Sequence, residues 1–181
     1  GGLGGLTSIR RSRGSWTLEN TLQDPVSTII SILEEKDGRL WLGTMSSGIL
    51  RVSYPEGGPE SGKARVERFT NNDGLPTRRE NAPFPVKEET LFYTQQGIYR
   101  FEEETRRFTP DPRFASLFPE PRWVVAMEDQ QGRILMWTRD EIRNTNETKL
   151  AIPQPDGTYR WEASPLSRMG DDWIYSFHLE E

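Results

Sequence analysis

Apolar residues occur along the chain in short runs of about four to six, separated by glycine-containing turns. β-Branched and aromatic side chains dominate these runs, as at residues 28–32, 66–69 and 123–127. No stretch of about 12 residues carries the stripe of an amphipathic helix, and proline is spread throughout. The pattern therefore predicts an all-β chain of short antiparallel hairpins.

The pattern repeats. Residues 33–44 align without a gap on residues 127–138, an offset of 94, with identical Glu, Gly, Arg and Thr at four places. A middle copy at residues 90–101 matches residues 40–52 with one deletion, and residues 5–9 repeat the tail of the pattern. The mean period, half the offset, is 47 residues. Propeller blades have such a period, and the strand-like runs disfavour the helical repeats that share it.

Four short strands in one period predict one blade of a β-propeller. In the best-preserved copy we expect strands at residues 27–34, 40–44, 49–53 and 64–70. The prediction is a single β-propeller segment over residues 1–181, a partial ring of about 3.5 four-stranded antiparallel blades. The predicted blades cover approximately residues 1–20 (partial), 26–70, 85–109, 122–163 and 171–181 (partial).

A propeller usually needs 4–8 blades to close. We therefore expect the remaining blades to come from the parent chain or from another subunit. The start at Gly1-Gly2, without Met, likewise favours a piece of a longer protein.

Composition narrows the function classes. The formal net charge of −5 argues against a nucleic-acid partner, and the cluster at residues 10–13 is interpreted as a solvated strand end. The chain has no cysteine and one histidine, His178, which we interpret as a packing residue. These counts exclude disulfides and thiolate sites and disfavour zinc sites and catalytic triads. No apolar run reaches the length of a membrane span, so we expect no direct membrane insertion. We also expect no cofactor and no metal.

Two segments, residues 26–52 with "IISILEEKDGRLWLGT" and residues 69–76 with "FTNNDGLP", resemble the two-component regulator propeller repeat. The resemblance implies an extracytoplasmic sensor propeller of bacterial hybrid histidine kinases and related regulators. It also implies a periplasmic or extracellular location and oligosaccharides as a frequent ligand class.

Most residues of the repeat are expected to be structural. We predict that large side chains pack between blades, at Trp41, Phe92, Leu135 and Trp137. We expect close packing and a positive-φ turn at Gly43 and Gly48. Recurring threonines are predicted to join turn to strand by hydrogen bonds, at Thr44, Thr94 and Thr138. Asp37-Gly38 and Asp73-Gly74 are interpreted as turn formers, since further calcium-binding carboxylates are missing.

Function in a propeller is expected at one end of the central channel, on the loops that enter and leave the innermost strand. Two long connections combine arginine, asparagine and aromatic residues, which suit sugars or carboxylated ligands. The candidate ligand-binding residues are Arg78, Arg79, Asn81, Arg113, Arg122 and Trp123. Ordinary solvated surface loops are the alternative interpretation.

The first hypothesis is a non-catalytic module that senses a ligand, such as an oligosaccharide, or binds a protein. A structural or docking subunit of a larger, membrane-associated complex is the first alternative. A propeller lyase or hydrolase acting on sugars is the second, and it needs a converging acid and base.

Overall fold

The computed structural model describes residues 5–23, 27–54, 58, 61, 63–118, 123–140 and 144–163. All the extended elements in this part of the chain are antiparallel β-strands, in one two-stranded and three four-stranded sheets. This is the architecture of a partial β-propeller. The predicted last inner strand, at residues 171–181, and His178 lie outside the described residues.

The strands follow the chain in order. The N-terminal hairpin contains β1 (Gly5–Ser12) and β2 (Ser15–Gln23). The first blade contains β3 (Ile29–Glu34), β4 (Leu40–Thr44), β5 (Ile49–Ser53) and β6 (Arg65–Phe69). The second contains β7 (Ala82–Val86), β8 (Glu89–Thr94), β9 (Gly97–Glu102) and β10 (Arg107–Pro110). The third contains β11 (Trp123–Glu128), β12 (Ile134–Asp140), β13 (Thr145–Pro153) and β14 (Tyr159–Ala163).

Each blade is a meander in which every strand pairs with the next along the chain. The register confirms the 94-residue offset found in the sequence. Leu40 pairs with Glu34 in the first blade, and Ile134 pairs with Glu128 in the third. The backbone bonds of the turn recur as well, since the amides of Glu35 and Asp129 each donate to a carbonyl four residues on, at 2.8 Å.

The chain divides into two compact units, Gly1–Pro83 and Phe84–Glu181. The core of the first unit joins the N-terminal hairpin to the first blade, through Leu6, Ile29, Leu42, Leu50 and Val52. The core of the second joins the second blade to the third, through residues that include Leu91, Ile98, Val124, Ile134 and Met136. Within each unit, neighbouring sheets therefore stabilise one another by burying facing apolar sides.

Two predicted starts shift. The innermost strand of the first blade begins at Ile29 rather than at residue 27, and the second blade begins at Ala82 rather than at about residue 85. Pro83 and Pro85 made β7 difficult to predict from the sequence, because proline within a run argues against a strand. The strand tolerates both because it lies at the edge of its sheet, where outward amides need no partner.

The aromatics predicted to pack between blades, Trp41, Phe92 and Trp137, are buried, and each contacts an aromatic ring of its own blade. Trp41 contacts Phe69 at 5.7 Å between ring centroids, and Phe92 meets Phe108 edge to face at 4.8 Å. Trp41 is 1% exposed and Phe92 is fully buried. Leu135, by contrast, is half-buried.

Candidate functional site

The connection from the first to the second blade is held against the β4–β5 turn. Thr70 caps the 3₁₀ helix Asn71–Asp73, and its backbone amide donates to Asp73 Oδ2 at 2.7 Å. Further along, the Gly48 amide donates to the Arg78 carbonyl at 2.8 Å, and the Glu80 amide to the Met45 carbonyl at 3.2 Å. The segment "FTNNDGLP" therefore makes a capped turn, as predicted for Asp73-Gly74, and fixes the loop that follows.

Three predicted ligand-binding residues lie on this loop. Arg78 and Arg79 are exposed, and neither guanidinium forms an ion pair with any described residue. Asn81 differs, because it is fully buried and its Nδ2 donates to the Thr77 carbonyl at 2.8 Å. Asn81 also bridges Thr44 through the backbone. The arginines are thus available to solvent, whereas Asn81 holds the loop to the blade.

Arg113 lies in the second long connection, within the 3₁₀ helix Pro112–Leu117. Its Nε lies 3.0 Å from Asp111 Oδ1, and its Nη2 lies 2.7 Å from both Asp111 Oδ2 and Glu89 Oε2. The hydrogen bonds to Asp111 are the largest cause of a raised pKa of the guanidinium, and Glu89 adds to it. Together they hold this pKa further above its usual range. The charge of Arg113 is already compensated inside the fold.

Arg113 and Trp123 lie at opposite ends of the second unit. Arg113 forms a hydrogen bond with Glu89, the first residue of β8. Two residues before Glu89, the backbone amide of Lys87 donates to Glu128, the last residue of β11. Trp123 begins β11, five residues earlier in the strand, which corresponds to roughly 17 Å. One ligand-binding end of this blade pair cannot contain both side chains.

Trp123 is half-buried and packs edge to face on Trp137, with ring centroids 5.4 Å apart. Arg122 lies outside the described residues. The structure therefore brings Arg78 and Arg79 together on one loop and separates Arg113 from Trp123.

A groove in the first unit was not predicted. It has a volume of about 710 Å³ and lies between β1 and the hairpin end of the first blade. The β1 side contributes Leu6, Thr7, Ser8 and Ile9, and the blade contributes Glu34, Asp37, Gly38, Arg39, Leu40, Ser53, Tyr54 and Gly58. The groove thus opens at the Asp37-Gly38 turn of the repeat motif itself.

The groove combines an apolar floor with a polar rim. Leu6, Leu40 and Tyr54 belong to the core of the first unit or pack against it. On the rim, Arg39 Nε lies 2.7 Å from Asp37 Oδ2, and the side chain of Asp37 is 54% exposed. Burial, and then the charge of Glu19, raises the pKa of the Tyr54 hydroxyl above its usual value. The neutral hydroxyl can donate and accept hydrogen bonds. Such a surface can accept hydroxyl hydrogens and pack on an apolar ring face.

Sequence reasoning placed function on the loops at the other end of the blades and missed this groove. Its two walls are separated by more than twenty residues along the chain, and no short motif joins them. The exposed turn Asp37-Gly38 beside Tyr54 carries no local signal beyond that of a hairpin.

Within the described ranges, no group of three or more His, Cys, Asp or Glu side chains is arranged to hold a metal ion. No helix in the same ranges has the length and apolar character needed to cross a membrane.

Residues 23–46 match the family model described as two component regulator propeller. The matched stretch covers β3 and β4 with the turn between them, so it is the inner half of the first blade. No curated protein matches the chain.

Proposed function

We propose that the chain is a non-catalytic recognition module of a two component regulator propeller, and that its groove binds an oligosaccharide. The observation that carries the proposal is the groove of about 710 Å³, with Tyr54 and two leucines beneath exposed carboxylate and hydroxyl groups. Sugar rings present apolar faces and hydroxyl edges, which match this division. The family match of residues 23–46 supports a sensory role and, with it, an extracytoplasmic location.

Asp37 provides the sharpest test. Its Oδ1 accepts the Arg39 amide at 3.0 Å, a turn contact that asparagine preserves. Asp37→Asn therefore keeps the turn and removes the charge that accepts sugar hydroxyls. Asp156 is a matched control, because its Oδ1 accepts the Thr158 amide at 2.9 Å in an equivalent turn outside the groove.

The measurement is isothermal titration calorimetry with a panel of neutral oligosaccharides. At least one should bind, and Asp37→Asn should weaken its affinity by roughly tenfold or more, the loss expected for a hydrogen bond to a charged acceptor. Asp156→Asn should leave affinity unchanged. No binding across the panel, or equal weakening by both variants, would contradict the proposal.

A sugar hydrolase or lyase is the second candidate, because Glu34 and Asp37 both line the groove. Two carboxylates at a sugar site can supply the acid and base of glycoside cleavage. Incubation with the bound oligosaccharide, followed by chromatography of the products, separates the two functions. Cleavage that Glu34→Gln abolishes would replace the recognition function with catalysis.

The docking alternative rests on Arg78 and Arg79. Two exposed guanidiniums on a fixed loop suit an acidic ligand or protein surface. The double variant Arg78→Gln, Arg79→Gln should then weaken binding of a protein partner. Asp37→Asn should leave binding of that partner unchanged. Loss of oligosaccharide binding in this double variant would instead place the sugar site at the loop.

A further inference from the structure

The distal half of the N-terminal hairpin projects from the first unit. Every residue from 9 to 18 is exposed, whereas Leu6 is buried in the core and Leu22 packs against it. The tip is a two-residue turn at Arg13 and Gly14, with φ of +50° and +84°, between the paired residues Ser12 and Ser15. Positive φ at both positions defines the tight type I′ turn that suits a twisted hairpin.

One face of this projection is apolar. Ile9 lies opposite Leu18, and Arg11 lies opposite Trp16. The three apolar side chains are 56%, 68% and 63% exposed for Ile9, Leu18 and Trp16, respectively. Large apolar side chains gathered this way on a protruding element mark an interaction surface rather than ordinary surface composition. We call Ile9, Trp16 and Leu18 the hairpin strip.

The strip has a basic border. The Arg11 guanidinium lies 5.8 Å from the centre of the Trp16 ring. Neither Arg11 nor Arg13 forms an ion pair with a described residue, while Arg10 on the other face pairs with Glu19. The hairpin tip is therefore a concentrated positive charge on a chain whose net charge is −5.

We propose that the hairpin tip docks peripherally on an anionic membrane surface. Tryptophan and leucine enter the headgroup region, and the arginines contact lipid phosphates while their stems lie along the apolar boundary. Ile9 also lines the groove, whereas Trp16 and Leu18 do not, and Trp16 lies closer to the hairpin tip. Such a protruding surface disfavours a small ligand, because small ligands bind in concave sites. Charge decides the occupant, since an acidic chain with a basic apolar tip is oriented tip-first towards an anionic surface. The hairpin lies on the surface without spanning it.

The experiment is co-sedimentation of the full chain with vesicles of mixed phosphatidylglycerol and phosphatidylcholine, and with vesicles of phosphatidylcholine alone. Arg13→Asn is the cleanest variant, because Asn-Gly is the preferred type I′ sequence and the turn is retained. Arg11→Gln removes the second charge, and Trp16→Ser removes the largest apolar contact. Arg107→Gln and Val66→Ser are matched controls on exposed positions of other strands.

We expect binding to the mixed vesicles that weakens with salt and is lost on phosphatidylcholine alone. Arg13→Asn and Arg11→Gln should each reduce the partition coefficient about fivefold. Trp16→Ser should reduce it further, and the two controls should not. Retained circular dichroism and unfolding midpoints would show that the variants are folded.

Two outcomes overturn the proposal: no binding to anionic vesicles at low salt, or equal losses in hairpin and control variants. Light scattering after size exclusion tests a second copy as the occupant. A dimer that Trp16→Ser dissociates would assign the strip to self-association instead. Asp37→Asn should leave vesicle binding intact, because Asp37 lies in a turn of the blade and not on the N-terminal hairpin. Failure of the sugar-binding proposal can therefore be distinguished from failure of this one.

Discussion

Three glycines in the first blade allow the energy of a close approach to be separated from that of a turn. Gly38 has φ of +81°, and an added Cβ would meet nothing within 4 Å. Gly43 lacks the positive φ, but its Cβ would lie 2.4 Å from Ser31 Oγ and 2.7 Å from the Asn81 carbonyl. Gly48 has both constraints, with φ of +80° and a Cβ 2.0 Å from the Phe69 carbonyl oxygen.

The expected destabilisation by alanine follows from these constraints. A left-handed backbone costs an L-residue about 1–2 kcal/mol, which is the whole effect expected at Gly38. Overpacking against backbone costs about 1–3 kcal/mol, which is the effect expected at Gly43. Gly48→Ala carries both penalties, so it should cost about 2–5 kcal/mol.

The assay is urea unfolding followed by tryptophan fluorescence, with the free energy of unfolding compared at constant slope. The order of loss should be Gly38→Ala, then Gly43→Ala, then Gly48→Ala. A Gly48→Ala variant as stable as Gly38→Ala would show that β6 does not approach the turn as the structure places it, and the reasoning would fail.

Three further outcomes are expected. Glu67→Gln should lower the free energy of unfolding by about 1–3 kcal/mol in urea, because it leaves the buried Arg51 guanidinium without its 2.9 Å anionic partner. Thr94→Val should lower it by about 1–3 kcal/mol, because the Gly97 carbonyl loses its 2.9 Å donor in a buried turn. Burial raises the pKa of Tyr93 to about 12. The neutral phenol is thus favoured in the folded state, so its stabilisation is complete below pH ~10 and is lost as pH rises to about 12. Tyr93→Phe should flatten this alkaline decline, and absorbance of tyrosinate should show the late titration.

Local structure could be predicted wherever a copy of the repeat retained the spacing of its strands and turns. The bounds of β4 and β5 agree with the sequence prediction because two continuously buried runs on either side of a fixed turn determine them. Two of the three recurring threonines make the predicted bond, Thr44 to the Gly48 carbonyl at 2.8 Å and Thr94 to the Gly97 carbonyl. Thr138 does not lie at a turn, because β12 continues to Asp140 and pairs Thr138 with Glu147.

The candidate ligand-binding residues could not be placed in the same way, because their positions depend on the path that the long connections between blades take across the fold. In the sequence Arg113 follows a predicted outer strand, which predicts a place on the loop that enters the next blade. The 3₁₀ helix instead turns back along β14, where Phe114 stacks on Tyr159 with ring centroids 4.4 Å apart. Burial of Phe114 and Leu117 in the core of the second unit sets that path, and no pattern local to the connection encodes it.

The position of the neighbouring sheet also determines why the groove lies at the repeat motif. A hairpin turn at the end of a blade is exposed unless the neighbouring sheet covers it. In the first unit the neighbour is the N-terminal hairpin, whose register shifts between Ser8 and Ile9 because Glu19 of β2 is an extra residue without a partner in β1. A bulge bends its strand, and this one lies beside the groove, whose walls here are Ser8 and Ile9 of β1 and the Asp37 turn of the blade. The turn of the repeat therefore borders an open groove where the neighbouring hairpin is bulged, so the groove depends on this pair of sheets and not on the motif alone.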